Sequence, residues 1–235
     1  PDGGEIRVFG MDNRRDEAAI KKQVGYVSPE LNFNAWGKVH TLLNFIRGFY
    51  PDWDDTYCND LLQRLNINWN EKIASLSYGA RMKLSLIAAL SHRPALLLLD
   101  EPLTGLDALS KHEVFTELLD AVQDENRTVV ISSHNLDDIE RFTDHLGIIH
   151  QGKMLLEGPT RTLIERFCKV DCQITDEKLL RQSAALRVQK RSGARYQILV
   201  DQAAQGMKQI AAAKATEITT TRSEERRVGK ECRSR

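Results

Sequence analysis

The sequence predicts an α/β protein built on a parallel sheet, and three observations carry that expectation. An all-apolar run of strand length, 95–99, ends in two carboxylates, Asp100 and Glu101. A second strand-like run, 128–132, follows one helix-length amphipathic segment later. Strand, helix, strand and helix then alternate through the middle third, and consecutive strands joined by helices run parallel.

Each element has its own signal. The turn residues Pro1-Asp2-Gly3-Gly4 feed a short strand at 6–8; a short helix at 16–23 and a strand at 24–27 follow. The stretch 38–91 is mostly helical. Within it Leu42, Leu43, Phe45 and Ile46 group on one side of a helix. In a second helix, 54–65, Tyr57, Leu61, Leu62 and Leu65 recur at spacings of three and four. A third helix, 80–90, follows Leu76-Ser77-Tyr78-Gly79. The run 95–99 has no polar alternation, as expected of a strand covered on both faces. The helix 108–123 turns Val114, Phe115, Leu118, Leu119 and Val122 inward, and 128–132 is a buried strand. A short helix at 136–142 precedes a hairpin whose strands, 145–149 and 153–157, flank Gln151-Gly152. Pro159 opens a helix over 159–167. From about residue 168 the style changes to strands at 186–190 and 196–200 and a helix at 202–213. The expected division is therefore 1–167 for the α/β domain, with a helical subdomain at about 38–91, and 168–221 for a small α+β accessory region.

Composition excludes several classes. The 235 residues are 41% hydrophobic and 28% charged, enough for a real core, and carry no formal net charge. Neutrality gives no global attraction to nucleic acid or acidic membranes, so no nucleic-acid partner is expected. No apolar run approaches the ~20 residues that cross a bilayer. Cys58, Cys168, Cys172 and Cys232 are scattered, which points to a reduced setting. Cys168 and Cys172 have the spacing to share a helix face but lack further zinc ligands nearby. The last fourteen residues, 222–235, hold six basic and three acidic side chains and show no period. They resemble the translated read-through of a sequencing adapter, so a non-native, disordered tail is expected there. The start at Pro1, inside a turn, likewise suggests a piece cut from a longer product.

The chemistry-bearing residues come in a fixed order. An apolar strand ending in Asp100 and Glu101 sets two carboxylates at the edge where α/β sheets bind ligands. Asp100 suits a role in holding Mg²⁺, and Glu101 suits polarising a water for attack on a phosphate; the plain alternative is a strand end capped by solvated acids. Ser77 and Gly79 stand at a helix start, where free N–H groups and the positive helix end face an anion; the plain alternative is a serine cap. His134 follows the 128–132 strand and has the chemistry to donate to a phosphate or to be structural. Asp107 either caps the helix from Ala108 or meets a partner across a dimer interface. No stretch fits the phosphate-cradling pattern G-x-x-x-x-G-K-[ST].

Order and spacing together resemble the nucleotide-binding subunit of an ATP-binding-cassette (ABC) transporter, over roughly 1–167. Leu76-Ser77-Tyr78-Gly79 is similar to the family signature loop, with Tyr78 and Ala80 departing from the commonest form. The segment 96–101 is similar to the Walker B strand and catalytic glutamate, Thr104-Gly105-Leu106-Asp107 to the D-loop, and His134 to the switch histidine. Pro1-Asp2-Gly3-Gly4-Glu5-Ile6 is similar to the phrase that follows the family's P-loop helix. One departure lies at the Q-loop: in Gly25-Tyr26-Val27-Ser28-Pro29-Glu30, Pro29 stands at the family's glutamine and Glu30 one position later. Proline has no ligating side chain, and Glu30 offers a carboxylate in its place.

The resemblance implies a P-loop NTPase-like ABC ATPase core, a parallel sheet plus helical subdomain, with its first strands and P-loop absent. It implies ATP and Mg²⁺ as cofactors. Glu101 and His134 would be catalytic, Ser77, Gly79, Asp107 and Glu30 would bind nucleotide, and Asp100 the metal. It further implies a second ABC ATPase subunit, identical or not, closing head to tail around two Mg-ATP. An integral membrane permease of the exporter type would hold the protein at the cytoplasmic face of the inner (plasma) membrane. Without a P-loop the chain as given is expected to be inactive. The alternative is a non-transport ABC protein acting in translation or DNA repair; such proteins carry second cassettes, coiled coils or zinc inserts, none of which is visible.

Overall fold

The structure, a computed structural model, describes residues 3–123, 126–135, 140, 143–173, 185–192, 195–201 and 216–221, with side chains as far as residue 166. The chain divides into two compact units, Pro1–Phe142 and Thr143–Arg235. The expected helices at 136–142 and 202–213 and the tail 222–235 lie outside the described residues.

The first unit opens with a small hairpin, β1 (Arg7–Val8) and β2 (Met11–Asp12), whose turn places Phe9 and Gly10 at φ +54° and +75°. Helix α1 (Glu17–Lys21) leads into β3 (Val24–Val27), the strand expected at 24–27. Three helices follow, α2 (Val39–Arg47), α3 (Asp55–Arg64) and α4 (Tyr78–Leu90). Then come β4 (Leu96–Asp100), α5 (Ala108–Val122) and β5 (Thr128–Ser132). Strands β3, β4 and β5 form one parallel sheet in that order, with Gly25 beside Leu97 and Asp100 beside Ser132.

Helix α4 is the centre of the core. Ser77 caps it, its Oγ accepting the N–H of Ala80 at 3.1 Å, and every residue from Met82 to Leu90 is buried. A helix with no solvent face must satisfy its polar side chains internally. Lys83 does so by pairing with Glu113 of α5. Close approach of α4 to β3 depends on Gly25. A Cβ there would lie 2.6 Å from the Ala89 carbonyl oxygen and 2.9 Å from Leu97 Cδ1. Helix α3 is capped by Asp54, whose Oδ1 accepts the N–H of Tyr57 at 2.8 Å. It is tied to α5 by Arg64, which sits 2.8 Å from the buried Glu117 and 3.0 Å from both Asp60 and Asp120.

In the first unit four sequence expectations need correction. The strand at 128–132 is not buried: Thr128, Val130 and Ser132 of β5 are exposed, and Val129 and Ile131 half-buried. The apolar strand β4 is covered on one face only: Leu97 and Leu99 are buried, while Leu96 and Leu98 are half-buried. Phe45 does not join Leu42 and Leu43 in the core; it is exposed and packs against Trp36 with the rings tilted by 35° and their centroids 4.0 Å apart. Position 45 falls off the stripe that 42, 43 and 46 make at 3.6 residues per turn. On α5 the buried set is Ser110, Val114, Glu117, Leu118 and Ala121, with Phe115, Leu119 and Val122 only half-buried. The charged contacts to α3 and α4 rotate its inner face toward Ser110 and Glu117.

The second unit begins with a hairpin, β6 (His145–His150) and β7 (Lys153–Pro159). Gln151 and Gly152 both take positive φ, +49° and +73°, which is the two-residue turn that matches the strand twist. Helix α6 (Thr160–Arg166) follows, and then β8 (Phe167–Gln173), β9 (Ala185–Ser192), β10 (Arg195–Asp201) and β11 (Thr216–Thr221). The last four form an antiparallel sheet in the order β11-β8-β10-β9. Cys168 and Cys172 therefore stand on a strand, not on a helix as their spacing suggested. Among the described residues no helix is long and apolar enough to cross a membrane.

Candidate functional site

Parallel pairing fixes the site. Because Asp100 is the last residue of β4 and lies beside Ser132, the last of β5, both chains leave the sheet at the same edge. Ser132 holds both carboxylate residues. Its hydroxyl donates to Asp100 Oδ1 at 2.6 Å, and its Oγ and carbonyl accept the Glu101 N–H at 3.1 and 3.2 Å. Ser132 was missed in the sequence. Its signal is a hydroxyl residue at the end of a predicted strand, two before His134, and only the register makes it meaningful.

Glu101 breaks the strand. Its φ is +47°, a left-handed value that non-glycine residues rarely adopt and that costs of order 1–3 kcal/mol. The bend swings its side chain between two partners. Thr104 Oγ1 donates to Oε2 at 2.5 Å, and His134 Nδ1 lies 3.0 Å from Oε1 and 2.9 Å from Oε2. Burial pushes the Glu101 carboxyl up, but the Thr104 hydroxyl and His134 outweigh it and hold the group below its usual range. The carboxylate is thus ionised at neutral pH, so Nδ1 of His134 must carry the proton of that contact. Nε2 of the neutral ring is then an acceptor, and donation from both nitrogens requires the imidazolium.

The loop after Glu101 turns tightly. Thr104 N–H donates to the Glu101 carbonyl at 3.1 Å, and Gly105 follows at φ +73°. Asp107 is the N-cap of α5: its Oδ1 accepts the N–H groups of Leu109 and Ser110, both at 3.0 Å. Ser110 also donates its hydroxyl to Asp107 Oδ2 at 2.8 Å. The Ser110 N–H and hydroxyl hold the Asp107 carboxyl below its usual range.

Ser77 and Gly79 reach this loop from α4. A Cβ on Gly79 would lie 2.5 Å from Ser110 Oγ and 3.6 Å from Asp107 Oδ2, so glycine is needed for α4 to start against α5. A Cβ on Gly105 would lie 3.2 Å from the Tyr78 ring. The structure therefore brings Ser77, Gly79, Asp107, Glu101, His134 and Asp100 into one connected set, through Tyr78, Ser110, Thr104 and Ser132. Glu30 is not part of it by any described contact. It is exposed just beyond β3, with its N–H on Ser28 Oγ at 3.3 Å.

As a metal donor Asp100 offers one carboxylate oxygen besides the one Ser132 holds, and among the described residues no three His, Cys, Asp or Glu gather as a metal site. That donor set fits Mg²⁺, which keeps several waters and takes most remaining ligands from phosphate. The spacing G-x-x-x-x-G-K does occur once, from Gly147 to Lys153, but Met154 follows where a hydroxyl residue belongs. It spans β6 and the turn into β7, so Gly152-Lys153 opens a strand and not the helix N-terminus that a phosphate-cradling loop requires.

Comparison with known proteins bears on this arrangement. The family model for ABC transporters matches residues 1–104. The ABC transporter ATP-binding protein YtrB of Bacillus subtilis (strain 168) is 30% identical over 200 residues, covering 85% of this chain and 68% of that protein. The bacitracin transport ATP-binding protein BcrA of Bacillus licheniformis is 31% identical over 183 residues, 75% of this chain and 59% of its own length. The Nod factor export ATP-binding protein I of Neorhizobium galegae is 32% identical over 170 residues, and the chain spans about half, 49%, of it. Among solved structures, an ATP-binding subunit of an ABC transporter superposes with a TM-score of 0.60 at 21% identity, over 70% of each chain. The dimeric ATP-binding cassette MJ0796 bound to ADP and Pi gives 0.58 at 19% identity, over 68% of this chain and 75% of that one. These structures carry the fold, a P-loop NTPase-like cassette with a parallel sheet and helices. The chain belongs to the ABC transporter family, among its ATP-binding proteins.

Proposed function

We propose that this chain comes from the ATP-hydrolysing subunit of an ABC exporter. The observation that carries the reading is Glu101 at the edge of β4, ionised and held between Thr104 and His134, with Asp100 beside it. Such a carboxylate suits orienting a water and taking its proton, while the water oxygen bonds the γ-phosphorus and the bond to the β-phosphate oxygen breaks. Hydrolysis yields ADP and inorganic phosphate, and the strained backbone of Glu101 fixes where the base stands. Asp100 would hold Mg²⁺ through a coordinated water, and the ion would supply charge neutralisation on the phosphates. His134 Nε2 would face the γ-phosphate.

Ser77 and Gly79 would bind the nucleotide held by a second subunit. The start of α4 supports this: Ser77 occupies the N–H of Ala80 and leaves the first-turn N–H groups of Tyr78 and Gly79 for an anion. Asp107 would meet the partner subunit while capping α5, and Glu30 would take the place of the Q-loop glutamine. The permease would dock around the Q-loop and the helical stretch. A groove of about 800 Å³ there, lined by Tyr26, Leu31, Phe33, Ile46, Phe49 and Tyr50, supports that reading. The names of the relatives, bacitracin transport and Nod factor export, favour export across a membrane. The protein would lie peripherally at the cytoplasmic face of that membrane. With no P-loop pattern in its 235 residues, the chain alone would bind ATP weakly and turn it over poorly.

The decisive measurement is ATP hydrolysis by the full-length gene product. Glu101→Gln should lower kcat at least about 100-fold with ATP binding retained, the loss expected for removal of a general base. Wild-type turnover in that variant would remove Glu101 from the reaction.

A further inference from the structure

We infer that Thr104 is a positioning residue that assigns different tasks to the two oxygens of the Glu101 carboxylate. The inference rests on the hydrolytic reading of Glu101.

A glutamate carboxylate turns broadly about its last torsion. A base that must align one water needs that freedom removed. His134 cannot remove it alone. Its Nδ1 stands almost equally far from both oxygens, 3.0 Å from Oε1 and 2.9 Å from Oε2, so a single shared proton leaves them equivalent. Thr104 Oγ1 breaks the symmetry, because it bonds only Oε2, at 2.5 Å. An ionised carboxylate only accepts, so the threonine hydroxyl is the donor. Oε2 then carries the threonine donor besides its share of the imidazole proton, and Oε1, with that share alone, keeps the freer lone pair that a water would use.

Thr104 is itself well fixed. Its N–H closes the turn onto the Glu101 carbonyl at 3.1 Å, and the residue before it, Leu103, is buried. A β-branched residue has few χ1 choices, so a closed turn also fixes its hydroxyl. The next residue, Gly105, packs under the Tyr78 ring. The loop that would meet a partner subunit therefore carries the hydroxyl that orients the base.

The test is steady-state ATP hydrolysis by the full-length gene product carrying Thr104→Val, Thr104→Ser, Thr104→Ala or Glu101→Gln. Thr104→Val keeps the shape and loses the donor. It should lower kcat about 10- to 100-fold, the scale of a base misplaced by about 1 Å, with KM for ATP changed less than about threefold. Thr104→Ser restores the donor and should return kcat to within about threefold of wild type. Thr104→Ala should match Thr104→Val, and guards against a packing fault in valine. In the Glu101→Gln background Thr104→Val should have almost no further effect, since both act through one group. Wild-type kcat in Thr104→Val, equal damage in Thr104→Ser, or a full additional loss in the double variant would each overturn the assignment. Unchanged turnover in Glu101→Gln would overturn both it and the function it rests on. Loss in Glu101→Gln with none in Thr104→Val would overturn the role of Thr104 alone.

Discussion

The two faces of the three-stranded sheet are made of similar residues and have different fates. On the closed face Gly25, Val27, Leu97 and Leu99 lie under the helices, and Leu97 and Leu99 are 0% and 2% exposed. On the open face Tyr26, Leu98 and Val130 share a register row, and Tyr26 and Val130 are 49% and 53% exposed. Leucine alternates with leucine along β4, so side-chain type does not distinguish the faces. What distinguishes them is α4, pressed against β3 through Gly25. Apolar content thus shows that a segment is fit for burial; the neighbours decide whether burial happens.

Substitutions across the sheet test that contrast. The largest effect is expected at Gly25→Val, where the added Cβ meets the Ala89 carbonyl oxygen at 2.6 Å and Leu97 Cδ1 at 2.9 Å. Backbone cannot yield as a side-chain tip does, so the denaturation midpoint should fall by the equivalent of about 3 kcal/mol or more. Next is a matched pair on one strand. Leu97→Ala should cost about 2–5 kcal/mol in urea unfolding, and Leu98→Ala about half as much or less. Equal costs would mean that the open face is covered in solution and that the two faces do not differ.

A third, smaller effect lies off the sheet and depends on pH. The Tyr57 N–H, and then the Arg93 guanidinium, hold the Asp54 carboxyl below its ordinary 3.8. A depressed carboxylate contributes stability that is present above its unfolded pKa and is lost as pH falls through the folded one. Asp54→Ala should therefore cost about 1 kcal/mol at pH 7, the usual worth of such a cap. The gap from wild type should close as pH falls below 3.8, read by circular dichroism melts at each pH. A gap that stays constant to low pH would assign the loss to packing of Arg93 over Tyr57, whose separation is 3.7 Å, rather than to the cap.

Much of this was legible from residues in order. The strands β3 and β5 coincide with the runs at 24–27 and 128–132, since apolar runs of strand length bounded by turns leave few alternatives. The hairpin at Gln151-Gly152 was legible because only a few residues accept left-handed φ. The carboxylates at the end of β4, the caps Ser77 and Asp107, and the lone His134 were legible as types and spacings. Ser132, Ser110 and Thr104 were not legible as partners. The role of Ser132 comes from register and a contact across 31 positions, which no local pattern marks; Ser110 and Thr104 act across three positions, and only the way the loop turns brings them onto the carboxylates. Gly79 was read as part of a helix start that faces an anion, and its missing Cβ is also the room Ser110 needs.

By itself the sequence determined which segments are strands and helices and which carboxylates close a strand, because local sterics and periodicity act over a few residues. Tertiary structure alone decided which face of β4 is closed, which side of α5 is inward, and how Glu101 is held. Those outcomes depend on distant groups arriving at one place, and hydrogen bonds and close packing exist only after they have arrived.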